Sequence, residues 1–158
     1  MTVSRPFRVL FVCMGNICRS PMAEAIFRHQ VAAAGLTERF VIDSAGTGGW
    51  HAGERPHRGT LDILAQHGVQ VGPQRARQLA AADFATADLI VAMDRENLDD
   101  IAAYHAEAHA HLLLDYAPDL STREVPDPFY NGGFEQVYQL IAAGCTGLLA
   151  AIRQREGF

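Results

Sequence analysis

The stretch VLFVCMGNICRSPMAE, residues 9–24, shows how the chain begins to fold. An apolar run ends at Cys13, and after a short loop Ser20 and Pro21 form a pair typical of a helix start, with serine as the N-cap and proline as the first helical residue. The stretch therefore predicts a strand, a loop and a helix. In open α/β sheets, ligands bind in loops at this edge of the sheet.

Beyond this stretch, short apolar runs alternate with helical patterns. Nearly continuous apolar runs at residues 7–12, 40–42, 89–93 and 112–114 predict strands that are covered on both faces. Amphipathic patterns predict helices that end before Gly35 and Gly68, and a last helix over residues 134–152 with Cys145 on its apolar face. The segment 79–87, LAAADFATA, gives no clear pattern. The alternation predicts an α/β fold with a parallel sheet.

Length and composition predict one globular domain, residues 1–158. The chain has 158 residues, of which 49% are hydrophobic, and its net charge is -5. It has no basic surface signature for nucleic acid or an acidic membrane, so neither is expected as a partner. The apolar run at residues 9–13 is too short for a membrane span or a secretory signal, which predicts a cytoplasmic protein. Three cysteines argue against a disulfide framework and favour a reactive thiol.

The loop after Cys13 has the features of an anion site. Its backbone N–H groups precede a helix N-terminus and can surround a tetrahedral oxyanion, and the same field favours Cys13 as a thiolate. Arg19 can grip two oxygens at once, and Ser20 can donate to the sulfur. These parts predict covalent phosphoryl transfer to sulfur. The loop residues expected around the substrate are Met14, Gly15, Asn16, Ile17, Cys18 and Ser20.

A proton donor for the leaving oxygen is expected in EVPDPFYNGG, residues 124–133. Asp127 lies there between two prolines that stiffen the loop, which makes it the candidate general acid. Phe129 and Tyr130 follow it, and Trp50 lies in GTGGWHAG, residues 46–53. These three aromatic residues are predicted to wall a slot for a flat aromatic group.

Two other motifs fail on spacing, so neither a cofactor nor a metal is predicted. GTGGWH begins like a dinucleotide fingerprint, but its third glycine would fall at His51. His105 and His109 are four positions apart as in a metalloprotease helix, yet Glu107 would face away from them.

Three segments together resemble the low-molecular-weight protein tyrosine phosphatases. They are CMGNICRSP at 13–21, DSAGT at 43–47 and DPFY at 127–130, in the order found in that family. The resemblance implies a doubly wound three-layer sandwich, with a four-stranded parallel sheet and helices on both faces. It implies phosphotyrosine proteins or peptides as substrates, and phosphate or other oxyanions as product-like inhibitors.

The same resemblance assigns roles to residues. It makes Cys13 the nucleophile, Arg19 the phosphate clamp, and Asp127 the acid and then the base. It also implies that Asn16, Ser20 and Ser44 hold the loop by hydrogen bonds. Phe129 departs from the tyrosine that many members carry, so the slot stays aromatic but lacks one hydroxyl.

Three alternative functions remain to be separated. An arsenate reductase would need further cysteines in mid-chain, and positions 80–95 contain none. Related arginine phosphatases carry threonine at the place of Ile17, whereas isoleucine fits better with an aryl phosphate. A non-catalytic phosphate-binding module would be expected to lack Cys13 or Asp127, and this chain has both.

Cys18 has two possible roles. It lies in the same loop as Cys13, so the two sulfurs could form a disulfide that protects an oxidised Cys13 from further oxidation. Alternatively, Cys18 packs beneath the loop as a small apolar side chain.

Overall fold

The predicted apolar runs form one parallel sheet in the computed structural model, which describes residues 5–158. Its strands are β1 (Phe7–Cys13), β2 (Phe40–Gly46), β3 (Leu89–Ala92) and β4 (Ala110–Leu112), and their order across the sheet is β2-β1-β3-β4. The α/β fold and the four-stranded parallel sheet are therefore confirmed.

The last strand lies earlier than predicted. Leu113 and Leu114 are not in β4 but in a 3₁₀ turn, Leu113–Tyr116. Both side chains are fully buried in the same core cluster. Consecutive residues of a strand point to opposite faces, so a helical turn is what allows both leucines to enter one core.

Six helices flank the sheet within the described residues: α1 (Arg19–Ala33), α2 (Arg58–Gln66), α3 (Ala81–Thr86), α4 (Arg95–Tyr104), α5 (Pro128–Asn131) and α6 (Phe134–Glu156). The three predicted helices are confirmed as α1, α2 and α6. Gly35 and Gly68 follow the ends of α1 and α2 with φ values of 72° and 70°. This left-handed conformation closes a helix and favours glycine.

Alternate residues of β1 enter two different cores. Phe7, Val9 and Phe11 pack with α1, α2 and α6 on one face of the sheet. Leu10 and Val12 pack on the other face, where α3 and α4 cover the sheet. The three-layer sandwich is thus confirmed. Cys145 is fully buried in the first core, as the apolar pattern of α6 predicts.

The predicted start of α1 is wrong by two residues. The helix begins at Arg19, and its N-cap is Cys18, which makes no side-chain capping bond. Ser20 lies inside the first turn, because its hydroxyl is directed at the sulfur of Cys13 instead of at the helix backbone. The loop between β1 and α1 is therefore only five residues long, 14–18.

The end of β2 packs tightly against this loop. The backbone N–H groups of Thr47 and Gly48 donate to the carbonyls of Cys13 and Met14 at 2.9 and 3.0 Å. A Cβ atom at Gly46 would lie 2.8 Å from the Met14 carbonyl oxygen, so this position has room only for glycine.

In residues 5–158, no helix combines the length and the apolar character that crossing a membrane requires.

Candidate active site

The Cys13 sulfur lies at the carboxyl end of β1, enclosed by the first turn of α1. Its Sγ atom is 3.0 Å from the Ser20 hydroxyl and 3.4 Å from the Ser20 backbone N–H. The residue is 3% exposed. The hydroxyl and the backbone N–H of Ser20 therefore both face the sulfur, at the N-terminal end of α1.

A buried side-chain network holds the loop behind Cys13. Asn16 donates to the hydroxyls of Ser20 at 2.8 Å and Ser44 at 3.0 Å, and accepts from the Arg77 backbone N–H at 3.0 Å. Asn16 has a φ of 57°, a left-handed conformation that asparagine tolerates better than most residues. Three hydrogen bonds from separate parts of the chain therefore fix the loop in this conformation.

The network ends at Glu24, which the sequence did not indicate as part of the site. Its carboxylate accepts from Ser44 at 2.6 Å and from Arg28 at 2.8 Å. Burial raises the pKa of Glu24, although the hydrogen bonds from Ser44 and Arg28 oppose that shift. Because Ser44 donates to Glu24, its oxygen is left to accept from Asn16, which fixes the direction of the network.

Arg19 is buried between two acidic side chains. Its Nη1 donates to Asp94 at 2.6 Å and to the Val125 carbonyl at 3.0 Å, while Nη2 lies 3.5 Å from Asp127. Burial disfavours the charged guanidinium, but Cys13 and the two aspartates outweigh it, and the pKa of Arg19 is raised. The side chain is therefore charged and fixed in orientation.

Asp94 is the second residue that sequence reasoning missed. Besides holding Arg19, it caps α4 by accepting from the Asn97 backbone N–H at 2.8 Å. An aspartate followed three residues later by asparagine is a recognisable cap, so the start of α4 was visible in the sequence. Its contact with Arg19 joins residues that are 75 positions apart, so the sequence does not reveal that contact.

Asp127 lies above the loop as the N-cap of α5. One oxygen accepts from the Phe129 backbone N–H at 3.0 Å, and the other faces Arg19. The side chain is 25% exposed, so it is open to solvent on one side. Pro128 at the first helical position restricts the backbone on which the carboxylate is held.

These groups border one small, open cleft. The residues that line it are Cys13, Met14, Gly15, Ile17, Cys18, Arg19, His51, Asp127, Phe129 and Tyr130. Asn16, Ser20 and Ser44 do not line it, so the structure gives them supporting contacts behind the loop. Of the predicted aromatic wall, Phe129 and Tyr130 are present.

The prediction that Trp50 forms part of the wall of this cleft is wrong. Trp50 lies outside this cleft, because its ring folds back over Gly48, where a Cβ atom would lie only 1.7 Å from it. The neighbouring His51 takes the predicted place, with its ring 5.9 Å from that of Phe129 and its Nδ1 2.7 Å from Glu54. Apart from the position of His51 in the same loop, no sequence pattern indicates that it belongs to the site.

Cys18 is buried at the base of the cleft. Burial, with the charges of Asp127 and Cys13, raises the pKa of its thiol to about 12. Its backbone carbonyl accepts from Thr60, which ties the loop to α2. Cys18 is thus a neutral thiol close to the proposed nucleophile.

Among residues 5–158, no group of three or more His, Cys, Asp or Glu side chains is placed to hold a metal ion.

Comparisons with known proteins agree on one family. The family model described as "Low molecular weight phosphotyrosine protein phosphatase" matches residues 8–157. The low molecular weight protein-tyrosine-phosphatase YfkJ of Bacillus subtilis is 49% identical over 151 residues, which cover 94% of this chain and 97% of that protein.

Solved structures give the same result. The crystal structure of YfkJ superposes with a TM-score of 0.93 at 47% identity, and the match covers 96% of this chain and 98% of that one. A Drosophila arginine phosphatase superposes with a TM-score of 0.83 at 35% identity, covering 92% of this chain and 97% of its own.

Proposed function

This chain belongs to the low-molecular-weight protein tyrosine phosphatases, and from that premise we propose that it hydrolyses phosphotyrosine through a phosphocysteine intermediate on Cys13. The family is one of hydrolases that act on phosphoproteins. We assign the reaction to a single domain, residues 1–158, acting in the cytoplasm.

The observation that carries the proposal is the convergence of three groups in one aromatic-lined cleft. The Cys13 sulfur, the Arg19 guanidinium and the Asp127 carboxylate all border it, and Phe129 and Tyr130 form its wall. A nucleophile, an anion clamp and a proton donor are the parts that phosphoryl transfer to sulfur requires.

In the first step, the Cys13 thiolate attacks phosphorus in line with the leaving tyrosyl oxygen. The S–P bond forms, the P–O bond to the aryl group breaks, and Asp127 supplies the proton that converts the leaving group to tyrosine. Arg19 Nη1 is held by Asp94 and Val125. Nη2 and Nε are then the nitrogens that contact the phosphoryl oxygens.

In the second step, water attacks phosphorus and the S–P bond breaks. Asp127, now a carboxylate, accepts the proton from water, and Cys13 leaves as a thiolate that the Ser20 hydroxyl stabilises. The product is inorganic phosphate. Because it fits the same cradle of N–H groups, phosphate and other tetrahedral oxyanions should compete with substrate.

Phosphoarginine is the second candidate substrate, favoured by the similarity to the Drosophila arginine phosphatase. The cleft favours an aryl phosphate instead, because Ile17 and the two aromatic side chains present apolar surface to the group beyond the phosphate. A planar, charged guanidinium would lose hydration against these side chains.

A substrate panel tests the proposal. We expect kcat/KM on a phosphotyrosine peptide to exceed that on matched phosphoserine and phosphoarginine peptides by at least about 10². Arsenate reduction, measured in parallel with a thiol reductant, should be absent. Equal or higher activity on phosphoarginine would replace the proposed substrate class, and turnover of arsenate would replace the reaction.

A further inference from the structure

Two exposed aromatic side chains lie outside the cleft and have no part in the chemistry described above. Trp50 is 71% exposed and Tyr104 is 53% exposed. They line one groove together with Thr47, Asp100 and Ala103, between the loop after β2 and helix α4. Paired aromatic rings on one surface groove are typical of contact sites.

Both rings are held in place by their own surroundings. Trp50 lies over Gly48, so close that no side chain fits at that position. Tyr104 stacks on Phe84, with ring centroids 5.5 Å apart and an interplanar angle of 24°. Each ring therefore has one supported face and one exposed face, and little side-chain entropy is lost when a ligand contacts it.

The face of α4 that leads to this groove is acidic. Glu96 lines a neighbouring pocket that shares Arg19 and Asp127 with the active-site cleft, and Asp100 follows it one helical turn later in the aromatic groove. Asp99 is also exposed. Among residues 5–158, these three carboxylates have no cationic partner, whereas the neighbouring Arg95 pairs with Glu124.

The acidic and aromatic side chains follow one another along helix α4. Glu96 and Tyr104 are eight positions apart, or about 12 Å along the helix, a length that about four residues of an extended peptide cover. The opposite wall is tied to the active-site loop, because Gly48 donates to the Met14 carbonyl at 3.0 Å. A peptide that places its phosphotyrosine in the cleft can therefore reach this groove.

We propose that the groove between α4 and Trp50 binds the substrate segment next to the phosphotyrosine, and that it selects a segment with a lysine or arginine near the phosphotyrosine and an apolar side chain beyond it. The acidic face of α4 attracts the basic residue, and the rings of Trp50 and Tyr104 contact the apolar one. The inference rests on the proposed function, because the phosphotyrosine anchors the peptide.

The test uses pairs of phosphotyrosine peptides. Within a pair, one peptide carries lysine and the other glutamate as the flanking residue, and both carry one leucine four residues from the phosphotyrosine. Each substitution is placed on the amino side in one pair and on the carboxyl side in another. In at least one pair, we expect the lysine peptide to have a kcat/KM about three- to tenfold higher at low salt, through a lower KM.

Two charge-reversal variants separate the groove from overall charge. Asp100→Lys should reduce the lysine preference to less than about twofold. Glu38→Lys makes the same change in net charge. Glu38 lies in the turn before β2, at the amino end of the parallel strands, whereas the cleft lies at their carboxyl end. This variant should keep the preference. Tyr104→Ser should raise KM for the leucine peptides about three- to tenfold.

Free phosphotyrosine and direct binding keep the outcomes distinct. Hydrolysis of free phosphotyrosine reports on the proposed function alone, and peptide binding to the Cys13→Ser protein reports on the groove without catalysis. The groove is overturned if wild type shows no lysine preference on either side, or if Asp100→Lys and Glu38→Lys change it equally. If free phosphotyrosine is not hydrolysed, the proposed function fails, and the binding data still decide the groove.

Discussion

The sulfur of Cys13 is separable from the site that would bind its substrate. The cradle consists of backbone N–H groups and the Arg19 side chain, and neither depends on the sulfur. We predict that Cys13→Ser abolishes turnover but leaves the fold and phosphate binding intact. Steady-state kinetics and calorimetric titration with phosphate measure both. Substantial residual hydrolysis would contradict the role of Cys13 as nucleophile.

Arg19 is prepared for two parallel hydrogen bonds, because Asp94 and the Val125 carbonyl hold it from behind. A lysine has one ammonium group, which cannot keep these contacts and also grip two phosphoryl oxygens. We predict that Arg19→Lys lowers kcat by at least about 10², with correct folding checked by circular dichroism. A nearly normal rate would remove the guanidinium from its proposed role.

The proposed acid, Asp127, is tested by the leaving group. If it protonates the tyrosyl oxygen, Asp127→Asn should lower kcat on phosphotyrosine by about 10² to 10⁴. An aryl ester whose leaving group needs no proton should lose much less. Asparagine keeps an oxygen that can accept from the Phe129 N–H, so α5 retains its cap. Equal losses on both esters would instead indicate a structural role.

Individual residues differ in how far the sequence reveals them. Cys13, Arg19 and Asp127 could be predicted as neighbours because a short loop and an Asp-Pro pair carry recognisable local chemistry. Glu24 and Asp94 could not, because their contacts with Ser44 and Arg19 join positions 20 and 75 apart. Trp50 was misplaced because its ring packs on its own loop, which a residue type does not indicate.

At the level of elements, length decides what the sequence predicts. The seven-residue strands β1 and β2 and the long helices α1 and α6 have enough apolar positions to show their period. The six residues of α3 lie in an alanine-rich segment without contrast between faces, and β4 has only three residues. For these short elements, contacts with the rest of the fold determine the conformation.

The loop between β1 and α1 brings Cys13 and Cys18 to the same cleft, and this placement predicts a reversible response to oxidation. We predict that peroxide inactivates the wild-type protein and that a dithiol restores its activity. Peroxide converts Cys13 to a sulfenic acid, which condenses with the Cys18 thiol to a disulfide and releases water. The two thiol groups of one dithiol molecule then reduce that disulfide.

The matched variant is Cys18→Ser, which should begin active but be inactivated beyond recovery. Without the second thiol, the sulfenic acid proceeds to irreversible oxidation states. Mass spectrometry should find a Cys13–Cys18 bond in wild type only. Cys145, fully buried in the core, should stay a free thiol in both proteins. If both proteins recover equally, Cys18 is a packing residue.

Across the whole molecule, Arg77 connects the site to the rest of the fold. Its backbone N–H donates to Asn16 in the active-site loop, and its guanidinium pairs with Asp43 on β2 and Asp83 on α3. The carbonyl of Arg77 accepts from the Gly46 N–H at 2.8 Å. One residue thus fastens the loop, the sheet and a helix, so the ion pair with Asp83 should support the stability of the entire domain.

This ion pair predicts a dependence of stability on pH. Burial tends to raise the pKa of Asp83, but hydrogen bonds from Arg77 and the Ala80 N–H outweigh it, so the pKa is lower than in the unfolded chain. A lowered pKa means that the carboxylate stabilises the fold above about pH 4, and that this stabilisation is lost as pH falls through the native pKa.

We predict that Asp83→Asn lowers the free energy of unfolding by about 1 to 3 kcal/mol at pH 7, and that its difference from wild type shrinks as pH falls from about 5 to 2. Urea denaturation followed by circular dichroism at each pH measures it. Asp62→Asn is the control, because its side chain is 59% exposed beside Arg58 and should change stability by less than about 0.5 kcal/mol at any pH. A difference between Asp83→Asn and wild type that is the same at pH 7 and pH 3 would show that the charge on Asp83 contributes nothing, since protonation would then leave its contribution unchanged.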